Sequence, residues 1–155
     1  MEYYDDIEVG DVTEYGSYEM TKAEIKEFAG KYDPQPFHTD EEAAKDSIFG
    51  SLAASGWHTA SVCMRLLVEG VLEDQASMGA AGVDELRWKQ PVYPCDELTV
   101  RVEVIEKEPH PTDPTRGRMR SKLTGINQEG EPVISWIGLG MVKRREPLDE
   151  APGGD

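Results

Sequence analysis

Residues 56–71 constrain the fold of this chain more than any other stretch. Gly56 opens a run in which Trp57, Ala60, Ser61, Met64, Leu67, Val68 and Val71 recur at three- and four-residue intervals, the period of one helix face. Only Arg65 and Glu69 interrupt the run with charge. A helix this apolar predicts a cover of other structure rather than a place on the surface. The cover follows in the sequence. Val83 to Lys89, Glu97 to Glu106, Arg118 to Asn127 and Val133 to Arg144 are rich in β-branched and aromatic residues, and turn signals separate them. Val12 to Met20 supplies one more strand ahead of the helix. An α+β fold satisfies this order without crossing connections: one antiparallel sheet curled around one long central helix. Such a sheet leaves an edge and a face bare, which predicts pairing of two copies as a homodimer or a dimer-based oligomer.

With 155 residues and 38% hydrophobic content, the chain is expected to form a single domain over residues 1–147. The acidic tail, residues 148–155, is expected to be disordered. No run of 18 apolar residues is present, so no membrane partner is expected. The first residues lack a basic segment followed by an apolar one, so a cytoplasmic location is the simplest expectation. The net charge of −15 argues against nucleic acid as a partner, because binding it requires cations that displace phosphate counterions. Such an acidic surface suits concentrated salt, where the screening length falls to about 3 Å at 1 M. A salt-loving source is therefore a further expectation.

Ahead of the long helix, Thr21 and Glu24 form a capping box for a helix over Lys22 to Lys31. That helix runs into Tyr32-Asp33-Pro34-Gln35-Pro36-Phe37-His38-Thr39-Asp40. Proline fixes its own φ and steers the preceding residue to extended backbone, so a stiff, non-helical turn is expected there. Thr39 and Glu42 repeat the capping box for a short helix over Asp40 to Asp46. A carboxylate and an imidazole held on one turn can share a water, each taking or giving a proton. That is the minimum equipment for adding water across a carbon–carbon double bond.

Asp33, Pro36, His38 and Asp40, followed by Phe49-Gly50 and by Ala54-x-Gly56 at the head of an apolar helix, resemble the MaoC-like dehydratases, including the (R)-specific enoyl-CoA hydratases. The likeness runs from about Tyr18 to Val142 and implies the hot-dog fold. It implies that Asp33 and His38 are the catalytic pair and that the N–H of Gly56 polarises a thioester carbonyl. The implied substrate is a CoA thioester, a trans-2-enoyl-CoA hydrated to the (R)-3-hydroxyacyl-CoA, with no cofactor. The chain departs from the family pattern at Tyr32 for a common Gly, Gln35 for Asn, Ser55 for His, and Met64 for a helix Ser. Tyr32, Gln35, Phe37, Ser55, Trp57 and Met64 are accordingly expected to meet substrate.

Plainer readings stand beside these. Asp33 before Pro34 also suits a simple turn opener. His38 and Asp40 lack further ligands for a metal, and none is expected. His58 reads as a helix-terminal or core histidine, and Cys63 and Cys95 as reduced thiols. Lys143-Arg144-Arg145 reads as a solvated strand end, with Arg87 and Lys89 as further candidates to meet phosphates. A hot-dog acyl-CoA thioesterase and a non-catalytic acyl-CoA-binding subunit remain as alternative functions.

Overall fold

The computed structural model describes residues 1–149; of the expected disordered tail, residues 150–155 lie outside the described residues. Leu148 is tied in, its N–H donating to Pro114 O at 2.9 Å. In chain order come β1 (Val12–Glu19), α1 (Lys22–Tyr32), α2 (Pro36–Thr39), α3 (Glu41–Lys45), α4 (Gly56–Gly70), β2 (Ser77–Trp88), β3 (Glu97–Pro109), β4 (Arg116–Ile126) and β5 (Pro132–Lys143). The five strands form one antiparallel sheet in the order β1-β3-β4-β5-β2, and α4 packs against it. This is the α+β arrangement expected from the order of elements. No helix among the described residues is long and apolar enough to cross a membrane.

The sheet grips the helix by alternation. Along β3, Leu98, Val100, Val102 and Val104 point inward while Glu97, Thr99, Arg101 and Glu103 point away, the period of two that a half-covered strand requires. Leu98, Val100 and Val102 join Val62, Cys63 and Leu66 of α4 and Ile25 of α1 in one core, while Val104 packs in a second cluster with Tyr4, Ile7, Met119 and Val142. Full burial of each such side chain is worth about 1.5–3 kcal/mol.

Which face of α4 is covered differs from the sequence expectation. His58, Thr59, Val62, Cys63 and Leu66 are buried, whereas Trp57 and Met64 are 55% and 43% exposed. The sheet covers one side only, so apolar side chains on the other side stay open. β2, at the edge of the sheet, is similarly bare, with Met78, Val83 and Trp88 exposed.

Two local expectations are also corrected. Residues 36–39 form one helical turn rather than a wholly non-helical bend. Pro36 occupies its first position, where the missing N–H costs nothing and the fixed φ suits a helix. The cap of α3 is Asp40, not Thr39. The Asp40 carboxylate accepts from Glu42 and Ala43 N–H at 2.9 and 3.3 Å, while the Thr39 hydroxyl donates to Gln35 O.

Candidate active site

Helix α1 is capped at its start by Thr21, whose hydroxyl accepts from Glu24 N–H, and it stops at Asp33. Asp33 has φ −152° and ψ 66°, and Pro34 forbids further helix. The carboxylate is therefore delivered at the end of a rigid rod. Three residues later α2 turns His38 back toward it. His38 is buried, and its Nε2 lies 3.4 Å from Asp33 Oδ2.

The tautomer of His38 follows from its other nitrogen. Nδ1 sits 2.6 Å from Ala53 O, and a carbonyl can only accept, so Nδ1 carries the hydrogen. In the neutral ring Nε2 then presents a lone pair to Asp33. Ala53 is held for this task by two backbone bonds, Ala53 N–H to Phe37 O and Ala54 N–H to Val92 O. No sequence signal announces a backbone carbonyl in such a role.

Asp33 is held from both sides. Gln35 Nε2 donates to Oδ1 at 2.7 Å, and Ser55 Oγ donates to Oδ2 at 2.7 Å. Burial alone pushes this carboxyl up. The Gln35 amide, the Ser55 hydroxyl and the adjacent His38 ring together outweigh it and hold the group below the usual carboxylate range. Two of the four departures from the family pattern thus reach the carboxylate: the longer amide of Gln35 still touches it, and so does Ser55.

Ser55 has a second contact. It is the N-cap of α4, and its Oγ accepts from Trp57 N–H at 3.3 Å. Gly56 is the first residue of that helix, and among the described residues its N–H meets no acceptor in the chain. It is one of the four amides that a helix start leaves without an internal partner, and it points with the positive end of the helix dipole. A Cβ at Gly56 would run into the ring of Trp88, which stands edge-on to Trp57 with centroids 5.0 Å apart. Trp88 is part of this site, and its place at the end of a strand gave no sequence warning.

Asp33, Gln35, His38, Gly56 and Trp57 line one cleft of about 390 Å³, together with Trp88 and Lys89. Ser55 lies fully buried behind it. The other expected substrate contacts are placed elsewhere. Tyr32 is 71% exposed, lies beside Phe28 with the two rings tilted at 55°, and borders a separate hollow along α1. Phe37 packs into the core and against the rings of His38 and Phe49. Met64 lines a different, apolar groove of about 420 Å³ between α4 and the sheet, with Leu67 and Val83. Among the described residues no cluster of three His, Cys, Asp or Glu side chains is placed to hold a metal.

A MaoC-like domain model matches residues 8–125. The MaoC-like dehydratase of Rhodospirillum rubrum superposes with a TM-score of 0.88 at 43% identity, covering 96% of this chain and all of that one. The R-hydratase PhaJ1 of Pseudomonas aeruginosa superposes with a TM-score of 0.70 at 26% identity, over 94% of this chain and 88% of that one. The uncharacterised Bacillus subtilis protein YdeM is 34% identical over 140 residues, 90% of this chain and 98% of its own length. The chain belongs to the MaoC-like dehydratase family and has its hot-dog fold.

Proposed function

We propose that the protein reversibly hydrates a trans-2-enoyl-CoA to the (R)-3-hydroxyacyl-CoA, with Asp33 and His38 as the pair that handles water. The observation that carries this reading is the facing of Asp33 Oδ2 and His38 Nε2 across 3.4 Å in one cleft. With His38 neutral, both atoms are acceptors, so a water between them can give one O–H to each. The thioester carbonyl takes the N–H of Gly56. Asp33 draws a proton from the water as its oxygen bonds to the β-carbon, and the π electrons move onto the carbonyl as an enolate. The proton passes across the pair to His38 Nε2 and from there to the α-carbon, which regenerates both groups and adds one H and one OH in total. The enolate oxygen sits at the start of α4, where one well-placed donor is worth about 2.7–4 kcal/mol in other enzymes.

Crotonyl-CoA tests this directly, since hydration removes the absorbance of the conjugated thioester. Loss of that absorbance with wild-type protein, abolished in Asp33→Asn and in His38→Ala, is the expected result. Turnover that persists in both variants ends the proposal, and release of free CoA thiol in place of hydration moves the protein to the thioesterases.

The working unit is read as a pair of chains. β2 offers an unpaired edge, and Val83 on it shares an apolar groove with Met64 of α4. A second copy that pairs its own β2 there covers both bare surfaces at once. Light scattering is expected to give twice the protomer mass of 17.3 kDa. Val83→Glu is expected to lower it toward one.

A further inference from the structure

Among the described residues, one lysine or arginine lines the cleft that holds Asp33 and His38, namely Lys89. It directly follows β2, and its backbone is fixed, with its N–H donating to Val133 O at 2.8 Å. The side chain is exposed and, among the described residues, makes no ion pair, in a chain with 31 acidic residues against 16 basic ones. Several other cations are already engaged: Lys22 and Lys26 hold Glu41, Arg65 holds Glu69, and Arg120 meets Asp84 and Glu106, while Lys31, Lys122 and Lys143 do not line the cleft. Arg144 and Arg145, expected to be a solvated strand end, instead pair with Asp5 and Asp6. They also lie beyond the far end of β5 from Val133, roughly 33 Å of strand away. Arg87 folds back so that its Nη1 donates to Leu86 O at 2.9 Å, and it does not line the cleft.

Resting on the hydratase reading, we propose that Lys89 is the anion anchor of this cleft, receiving a negatively charged group of the thioester while its carbonyl sits at Gly56. In so acidic a protein an anionic substrate is repelled from most of the surface, and one unpaired ammonium beside the reacting groups selects where it docks. Two parts of a substrate carry suitable oxygens: the phosphates of CoA, or a second carboxylate on the acyl group.

Three esters separate these sources. Crotonyl-CoA carries phosphates only, crotonyl-N-acetylcysteamine neither anion, and the N-acetylcysteamine monothioester of an unsaturated dicarboxylic acid a carboxylate only. Lys89→Ala is expected to raise KM about fivefold for an ester whose anion it meets, with kcat unchanged, at 0.1 M salt. The effect is expected to fade at 1 M salt, where screening reaches about 3 Å. A rise confined to crotonyl-CoA assigns Lys89 to phosphate, and one confined to the dicarboxylic ester assigns it to carboxylate. Arg87→Ala serves as the control for general charge. Wild-type turnover with Lys89→Ala unchanged on all three esters, or changed no more than Arg87→Ala, overturns the anchor and leaves the hydratase reading standing. Absence of wild-type turnover on any ester removes the hydratase reading itself, and with it the anchor.

Discussion

Among the described residues, two carboxylate–imidazole pairs stand near the start of α4, and on the function proposed above they serve different ends. Asp33 and His38 face the cleft at 3.4 Å; Glu24 and His58 lie closer, at 3.1 Å, and do not. On that proposal, the shorter distance marks the pair that takes no part in the reaction. His58 Nε2 donates straight to the Glu24 carboxylate, which also accepts from the Tyr18 hydroxyl. That hydrogen bond, aided by burial, pushes the Tyr18 phenol above its ordinary value. The remaining nitrogen of His58, Nδ1, is buried without a partner, and the ring is stacked on Phe28 at 4.8 Å. Its lone pair faces protein, so it has no route to a water. His38 is wired the other way round: a backbone carbonyl takes its N–H, and the lone pair looks into the cleft. Nearness of an acid and a ring says little; the tautomer and the cavity decide.

The largest expected effect separates the pairs by activity. Asp33→Asn is expected to lower kcat on crotonyl-CoA by about 10²–10⁴-fold, the range over which positioned acid–base groups act. Its fold is expected to remain, since the amide keeps the shape. If Asp33→Asn retains wild-type kcat, the cleft pair is no more reactive than the other one.

Next in size is Gly56→Ala. The added methyl meets the Trp88 ring, and overpacking of this kind costs about 1–3 kcal/mol. The displaced first turn also moves the free N–H, so kcat falls with stability. Trp88→Leu in the same chain makes room and is expected to recover much of both. A double mutant no better than Gly56→Ala alone, judged by thermal unfolding and turnover, shows that the contact with Trp88 is not what sets this position.

Much of this contrast was legible in the sequence, and the illegible part has a common cause. The Asp33–His38 spacing, the glycine at the helix start and the five strands are local patterns, carried by prolines, caps and periods of two and 3.6. Glu24–His58 joins residues 34 apart, and no pattern within either helix announces it. β2 begins at Ser77 although Ser77–Gly82 lacks β-branched residues, because pairing with β5 overrides weak propensity. The buried face of α4 differs from the periodic expectation for a related reason. Every side of that helix is apolar enough to be core, so period alone does not say which side the sheet takes.

Ser55→Ala gives a smaller and more diagnostic change. It removes one donor to Asp33 and the cap of α4, the latter worth about 1 kcal/mol. In the wild type Asp33 is held below the usual carboxylate value of about 3.9, so its basic form survives well into acid. Stability contributed by this group is therefore lost only as pH falls through that depressed value. Without the hydroxyl, the titration of Asp33 itself, followed by the carbon NMR resonance of its carboxyl, is expected to move to higher pH. A titration that stays in place shows that Ser55 acts only as a cap.

The smallest effect on activity is expected on the far side of α4, and it is the one most able to break the comparison. His58→Leu deletes the ring that ties α4 to Glu24 while leaving the cleft untouched. A hydrogen bond to a charged group is worth about 1.5–3 kcal/mol, and this one is partly buried, so thermal unfolding is expected a few degrees earlier. The value of kcat should stay within about twofold, and the titration of Asp33 should not move, because neither Asp33 nor His38 loses a partner. Were His58→Leu to shift that titration as Ser55→Ala does, the two pairs would be coupled through the first turn of α4. Glu24 would then be a positioning residue for Asp33, acting along the helix that joins them, and the division between a reactive pair and a structural one would have to be given up.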